Sequence, residues 1–372
     1  MRDMLGRENA VSVSEALERI ARHIGTGKSS SVRVTLDDAY RRVLSADVLS
    51  PEDLPAFSRS TVDGFAVSSV DTFGATEGLP AYLTVSHEIL MGEEAAFRLA
   101  KGNASKIATG GMLPSGADAV VMLEHVQYGE QNLIEVLKPV APRENVISAG
   151  EDVKKGELLL KKGRLLRAQD IAALAGVGFE QVVVYERPRV SIILTGDEIV
   201  PLGSALRPGQ VRDINSFTLA GLIRENGGNP VRMGICKDIY EEIRDVVQRS
   251  LGDSDIVLVT GGSSVGTKDM TAQIIGSLGS PGVLFHGVTL KPGKPTIGAV
   301  VNGVPVFGLP GHPAAVAVCF EVFIVPVLRV LTGREEKEWR GRKTIRARLA
   351  RNVSSTVGRE EHVRVTIEER DG

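Results

Sequence analysis

From residue 190 onward the chain alternates two periodicities, and that alternation restricts its fold more than any other feature. Apolar runs at 190–194, 231–235, 256–260, 283–290 and 304–307 are separated by stretches with apolar residues at helical spacing, near 216–226, 238–247 and 270–278. Residues 256–260, Ile-Val-Leu-Val-Thr, are a continuous, mostly apolar run rather than an alternating one, as expected of a strand covered on both faces in a parallel sheet. Strand–helix alternation of this kind predicts an open, doubly wound α/β domain. Asn302-Gly303, between runs at 296–301 and 304–307, predicts a tight hairpin at its edge. A helix starting at Pro313 closes the unit.

The preceding residues read differently. Ser12 and Glu15 have capping-box spacing ahead of a helix with Ala16, Leu17, Ile20, Ala21 and Ile24 on one face. Gly25 and Gly27 end it. Thr35 and Asp38 predict a second helix with a stripe of Leu36, Ala39, Tyr40, Val43 and Leu44. From about 55 to 150, short β-type runs such as 118–123 and 133–137 predict a β-rich module. A short helix returns at 168–175, with Gly176 as its C-cap. Asp238 and Glu241 have the spacing of another capping box. The charged tail offers two alternating runs, 344–349 and 362–367, which form a small β segment that reads as incomplete.

Composition removes several function classes. The 372 residues carry 44 basic and 46 acidic side chains, a net charge of −2, which supplies no broad footprint for nucleic acid. Aromatics are only 4% of the chain, so base stacking along a single strand is disfavoured as well. The two cysteines, Cys236 and Cys319, form neither a disulfide framework nor a thiolate metal site, and point to a reducing compartment, the cytoplasm. The N-terminal residues lack the apolar core of a signal peptide. The most apolar stretch, 313–331, contains Glu321 and Pro326 and reads as a buried helix, so no membrane association is expected.

Ligands of open α/β sheets bind at the carboxyl ends of the strands. Four segments fall there: Thr195-Gly196-Asp197-Glu198, Gly261 to Asp269, Lys291-Pro292-Gly293-Lys294-Pro295, and Gly308 to Pro313. Gly261, Gly262 and Gly266, with the hydroxyls of Ser263 and Ser264, lead into a helix and can face an anion with backbone N–H groups. Lys291 and Lys294 supply point charges on a loop stiffened by proline. Glu198 and Asp269 offer carboxylates, as caps or as ligands. Gly266-Thr267-Lys268 reverses the order that a Walker A loop requires, and no dinucleotide fingerprint occurs. Glycine, 41 of 372 residues overall, reaches 12 of the 51 residues between 261 and 311. That enrichment fits loops where backbone approaches a ligand closely.

The motifs RSTVDGFAV (59–67), ATGGMLPSGADAVV (108–121), GEDV (150–153), ILTGDEIV (193–200), GQVRDINS (209–216), TGGSSVGTKD (260–269), LKPGKP (290–295) and GLPGHPAA (308–315) together carry a resemblance. Over residues 12–331 the chain resembles the molybdopterin molybdenumtransferases, the MoeA and gephyrin E-domain family. The resemblance implies an N-terminal linking domain (1–54 and 140–186), an inserted β-rich module (55–139), a molybdopterin-binding α/β domain (187–333) and a partial C-terminal β domain (334–372). It implies an enzyme that takes adenylylated molybdopterin and molybdate, inserts molybdenum into the dithiolene and releases AMP, with Mg²⁺ as cofactor. It also implies a homodimer, with the site between the α/β domain of one subunit and the N-terminal modules of the other. The molybdopterin adenylyltransferase is a further candidate partner. By motif match, Asp63, Thr109, Asp152, Glu198, Asp238 and Asp269 are the functional acids and hydroxyl. Of these, Glu198, Asp238 and Asp269 are the candidate metal ligands. Gly261, Gly262, Ser263, Ser264, Gly266, Lys291, Lys294, Pro310 and Pro313 line the pterin-phosphate side.

The chain departs from the family at residues 146–149, which carry no basic side chain before the GED motif, and at His312, where asparagine is common. Its tail is shorter than the family's last domain. Two other readings remain beside the insertase: a non-catalytic scaffold on the same fold, and the adenylyltransferase of the preceding step. The modules over 12–180 argue against the adenylyltransferase, which lacks them.

Overall fold

A computed structural model describes residues 10–24, 30–261, 265–334, 345–355 and 357–369, with the side chains of 265–269 not described. The chain forms two compact units: one holds residues 1–46, 163–166 and 182–372, the other 47–162 and 167–181.

The first unit is the α/β domain. Its helix α1 (Val13–Ala21) begins as the capping-box spacing predicts, with Ser12 Oγ accepting the Glu15 N–H at 3.2 Å. Ala16 and Ile20 pack into the main core. The sheet contains β1 (Arg189–Thr195), β2 (Asn229–Cys236), β3 (Ile256–Gly261), β4 (Pro281–His286), β5 (Ile297–Val301) and β6 (Val304–Leu309). Their order is β2-β1-β3-β6-β5-β4. The four strands β2, β1, β3 and β6 are parallel; β5 runs antiparallel to both β6 and β4. The hairpin between β5 and β6 turns on Asn302 and Gly303, with φ of 50° and 87°, the left-handed pair that a two-residue turn requires.

The continuous apolar run of β3 serves two cores. Ile256 and Leu258 face the core shared with α1, with α2 (Asn215–Glu225) and with a long helix described below. Val257 and Val259 face the core of α3 (Tyr240–Asp253) and α4 (Val265–Ser277). This is why period-2 alternation is missing: both faces are buried. The long helix, α5 (Pro313–Leu331), contains a π-helical turn at Phe320–Ile324. It is long and apolar enough to cross a membrane, yet Val316, Phe320, Phe323 and Val327 are fully buried in the protein's own core.

Several local expectations are corrected. The second helix is only Leu36–Ala39. Arg41 turns left-handed (φ 58°), and Val43 and Leu44 form β-bridges with Leu165 and Val184. Their apolar spacing fits a helix, but long-range backbone pairing decides their state. Asp238 is not a cap: α3 starts at Tyr240 after Ile239, and the Lys237 N–H bonds Glu242 Oε1 at 3.1 Å. Gly176 ends the helix Ala168–Gly176 from inside, and the left-handed residue after it is Gly178, φ 80°. The predicted strand over 283–290 breaks at Gly287 (φ 101°), after β4 has ended at His286. In the tail, residues 345–349 and 362–367 form no strand; the described pairing there is Glu360–Glu361, parallel to Leu290–Lys291. Gly25 and Gly27 lie outside the described residues.

The second unit is β-rich, as expected. Its six-stranded sheet runs Ala119–Met122, Gly64–Val67, Asn103–Ile107, Ala81–Ile89, Leu133–Val136 and Val126–Tyr128 in spatial order. Phe65, Leu83, Ala104, Val121, Ile134 and Val136 fill its core.

Candidate functional site

The sheet reverses direction of growth at β1. From β1 the chain goes through α2 to β2 on one side, then through α3 to β3 on the other. Such a switch leaves a crevice beyond the carboxyl ends of the two central strands. Here Thr195 of β1 pairs with Gly261 of β3. Gly261 has φ of 137°, and a Cβ on it would stand 1.8 Å from the Thr195 carbonyl oxygen, so only glycine fits. The loop after β6 closes the opposite wall, with Gly311 over the backbone of Gly261.

The crevice widens into a cavity of about 570 Å³, within the range of small-molecule sites. Most of its lining is apolar or backbone: Leu194, Ile199, Val211, Ile214, Gly293, Pro295, Pro310, Pro313 and Ala315. The polar groups are few: Glu198, Arg212, Asp213, Asn215 and His312. Three of them are already engaged, Asn215 through Nδ2 to the Gly311 carbonyl at 2.8 Å. Arg212 donates to the carbonyls of Leu202 and Ser204 at 3.1 and 3.2 Å. Asp213 caps α2, accepting from the Ser216 N–H at 2.9 Å and from its hydroxyl. An apolar wall with sparse polar groups suits a flat heterocycle. The N-terminus of α5 at Pro313 offers the positive end of a helix to an attached anion.

Four residues read from the sequence come to this cavity: Glu198, Gly261, Pro310 and Pro313. The Glu198 carboxylate folds back over Gly196, its oxygens 2.8 and 3.1 Å from where a Cβ on that glycine would be. Lys291 and Lys294 flank Gly293 but are not among the lining residues. Lys291 Nζ is held at 2.8 Å by Glu361, whose side chain is only 15% exposed. Beneath that loop, Thr296 Oγ1 donates to the Gly293 carbonyl at 2.6 Å and contacts Cys319 Sγ at 3.1 Å. Burial pushes the Cys319 thiol up to about 11. Asp238 joins the neighbouring loop, its N–H bonding Asp197 Oδ1 at 3.4 Å. Gly262, Ser263 and Ser264 lie outside the described residues, as does the Asp269 side chain; the backbone of Gly266 and Asp269 belongs to α4.

The second unit brings two of its candidates together. Asp63 Oδ1 accepts the Thr109 N–H at 2.7 Å and the Thr109 hydroxyl at 2.9 Å. The backbone bond, with the hydroxyl in support, holds the Asp63 carboxyl below its ordinary range. Asp152 sits on a loop stitched to residues 54–58: its N–H bonds the Leu54 carbonyl, and the Gly150 and Ala149 N–H groups bond Pro55 O and Ser58 Oγ. Sequence reasoning missed Arg143. That residue brings a guanidinium to the uncharged 146–149 stretch, with Nη2 donating to Ser148 Oγ at 2.5 Å. Glu361 and Asn215 were missed as well, because their partners are remote in sequence.

Among the described residues, no three His, Cys, Asp or Glu side chains converge to hold a metal. Mg²⁺ does not require such a cage. It is commonly held by one or two carboxylates and by substrate phosphates, with water completing the shell. Glu198, a hard carboxylate in the cavity wall, fits that mode.

Comparison with known proteins agrees over nearly the whole chain. Residues 11–178 match the MoeA N-terminal region (domain I and II), and residues 191–330 match a family described as "Probable molybdopterin binding domain". A Methanocaldococcus jannaschii protein named for molybdopterin biosynthesis is 35% identical over 94% of this chain and 84% of its own length. The molybdopterin molybdenumtransferase of Nostoc is 39% identical over 81% of this chain and 69% of its own. The crystal structure of the molybdopterin biosynthesis MoeA protein of Pyrococcus horikoshii superposes with a TM-score of 0.76 at 40% identity, covering 88% of this chain and 81% of that one. With sequence, domain order and fold in agreement, the chain belongs to the molybdopterin molybdenumtransferase family.

Proposed function

We propose that this chain transfers molybdenum from molybdate to adenylylated molybdopterin, with cleavage of the phosphoanhydride bond and release of AMP. The observation that carries the reading is the apolar cavity of about 570 Å³ at the switch point of the sheet, in a chain of this family. It has the size and lining for a pterin, with a helix N-terminus and a lysine-bearing loop at its edge. Lys291 and Lys294 hold the phosphate or the oxyanion. Gly262, Ser263, Ser264 and Gly266 offer N–H and hydroxyl donors to the same anion. The dithiolene sulfurs of the substrate take the metal, so no cysteine of the chain is needed; Cys236 and Cys319 are both buried.

Glu198 orients water, or assists at the phosphoanhydride, from the cavity wall. Asp63, held ionised by Thr109, acts as a fixed negative charge and acceptor rather than as an acid. With Asp152 and Thr109 it forms a second set of functional groups. Glu198 with Asp238 or Asp269, together with the substrate phosphates, would hold Mg²⁺, which would supply charge neutralisation for the phosphoryl group. We further infer a homodimer in which the Asp63–Thr109 set of one subunit serves the cavity of the other. The reaction is placed in the cytoplasm, downstream of a molybdopterin adenylyltransferase.

The test incubates the protein with adenylylated molybdopterin, molybdate and Mg²⁺, and measures AMP and cofactor-bound molybdenum. Wild-type chain should yield both. Glu198→Ala should lose at least about a hundredfold in rate, the low end of what removing an acid–base group costs. Absence of both products from the wild-type chain would overturn the reading.

A further inference from the structure

Asn215, the first residue of α2, is only 7% exposed and lines the cavity. Its amide orientation is fixed by chemistry. Nδ2 lies 2.8 Å from the Gly311 carbonyl oxygen and 3.4 Å from Thr260 Oγ1. The Gly311 carbonyl can only accept. Thr260 has one hydroxyl proton and donates it to the Pro310 carbonyl at 3.1 Å, so toward Asn215 it can only accept too. Both neighbours therefore require the nitrogen, and the oxygen must face away from them. That oxygen, Oδ1, is buried and has no hydrogen-bond partner among the described residues.

A buried amide oxygen without a donor is rare in folded proteins, and its desolvation is uncompensated until a donor arrives. Among the described residues, none of the other polar groups of the wall donates to it. Arg212 is committed to Leu202 and Ser204, and Asp213 is itself an acceptor engaged by Ser216. A donor carried into the cavity by a ligand would satisfy it.

We propose that Asn215 determines specificity for the pterin ring: its Oδ1 accepts a hydrogen bond from the 2-amino group of the aminopyrimidinone edge. This rests on the reading of the cavity as the pterin site. The Thr260–Pro310–Gly311–Asn215 network fixes which way the amide faces; with Oδ1 buried in the empty cavity, the wall beside it opens slightly as the amino group enters. An analogue with a carbonyl in place of the amino group sets two acceptors against each other and is rejected.

The test uses two probes, pterin-6-carboxylate and lumazine-6-carboxylate, which differ by that exchange of amino for carbonyl. Binding to the full chain is measured by calorimetry. Wild type should prefer the pterin by about tenfold, the value of one buried hydrogen bond. In Asn215→Leu the preference should fall to about onefold; the ratio cancels any general loosening of the loop, which both probes feel. Should that variant fail to fold, Thr260→Val carries the test: it removes one of the two acceptors that hold the amide, leaving the Gly311 carbonyl, and the ratio should fall in part. An unchanged ratio in a folded variant overturns the role of Asn215. A third variant separates this from the parent reading. Val211→Trp, at the half-exposed rim, should block both probes. If wild type binds neither probe, or Val211→Trp blocks neither, the cavity is not the pterin site and both readings fall.

Discussion

Replacing Gly261 with alanine should damage both the fold and the reaction, and its magnitude follows from two separate terms. The first is conformational. At φ of 137° a residue with a Cβ is strained by about 1–3 kcal/mol. The second is steric. The new methyl would stand 1.8 Å from the Thr195 oxygen and 2.9 Å from its nitrogen, both backbone atoms of the paired strand. Backbone cannot rotate away as a side chain does, so the strands must separate, at about 1–3 kcal/mol. The sum, about 2–6 kcal/mol, is a large part of the 5–15 kcal/mol that usually holds a domain together. At about 2–4 °C per kcal/mol, the melting temperature should fall by roughly 5–20 °C. The paired control is Gly221→Ala on α2, where a Cβ meets nothing within 4 Å. That change should stabilise by about 0.5–1 kcal/mol through helix propensity. Thermal unfolding of both variants, followed by circular dichroism, reads the difference directly. If Gly261→Ala melts within 2 °C of wild type, the close approach of β1 and β3 is not the constraint described above.

Three further outcomes follow from the site. Thr109→Val removes a hydroxyl donor from Asp63, and carbon-detected NMR titration should show the Asp63 carboxyl moving up toward its ordinary 3.8, so that it protonates at higher pH than in wild type. Cys319 has a folded pKa of about 11 against 9.0 when exposed. Unfolded chain therefore releases this proton first as pH rises; the thiol's stabilising contribution is complete below pH 9 and should be lost by ~2–3 kcal/mol as pH climbs through 11. Urea unfolding of wild type and Cys319→Ser at pH 8 and 10.5 tests this, and equal pH slopes would refute it. Glu361→Gln should cost stability only about 0.2–1 kcal/mol, since Lys291 is 46% exposed, but should tighten inhibition by inorganic pyrophosphate two- to fivefold at low salt by unmasking the lysine. Weaker inhibition would mean that Glu361 orders Lys291 for the anion instead of competing with it.

Local chemistry made much of this molecule readable. The Ser12–Glu15 cap, the Asn302-Gly303 turn and the unbroken apolar run of β3 each encode their structure within a few residues. The strand-end rule located Glu198, Gly261, Pro310 and Pro313, because a parallel sheet gathers loops that sequence separates. Where the expectation failed, distance along the chain was the reason. Val43 and Leu44 have helical spacing, but their backbone partners lie more than a hundred residues away. Asn215 acquires its meaning from Gly311, 96 residues later, and Lys291 acquires a carboxylate from the tail. Asp238 had the spacing of a cap, but α3 begins two residues beyond it.

The nineteen residues of α5 carry a consequence for how the chain must be made. A ribosome releases them after every strand of the α/β sheet, so all the strands that build the groove they fill are available to assemble when they emerge. Until they dock, the chain displays a segment that any membrane-targeting or hydrophobe-binding factor would recognise. Partition between folding and capture is therefore a race, decided by how fast β1 to β6 assemble. Slowing that assembly, as Gly261→Ala would, should expose the segment longer and send more of the newly made chain to chaperones or aggregates, beyond what the equilibrium loss of stability alone predicts.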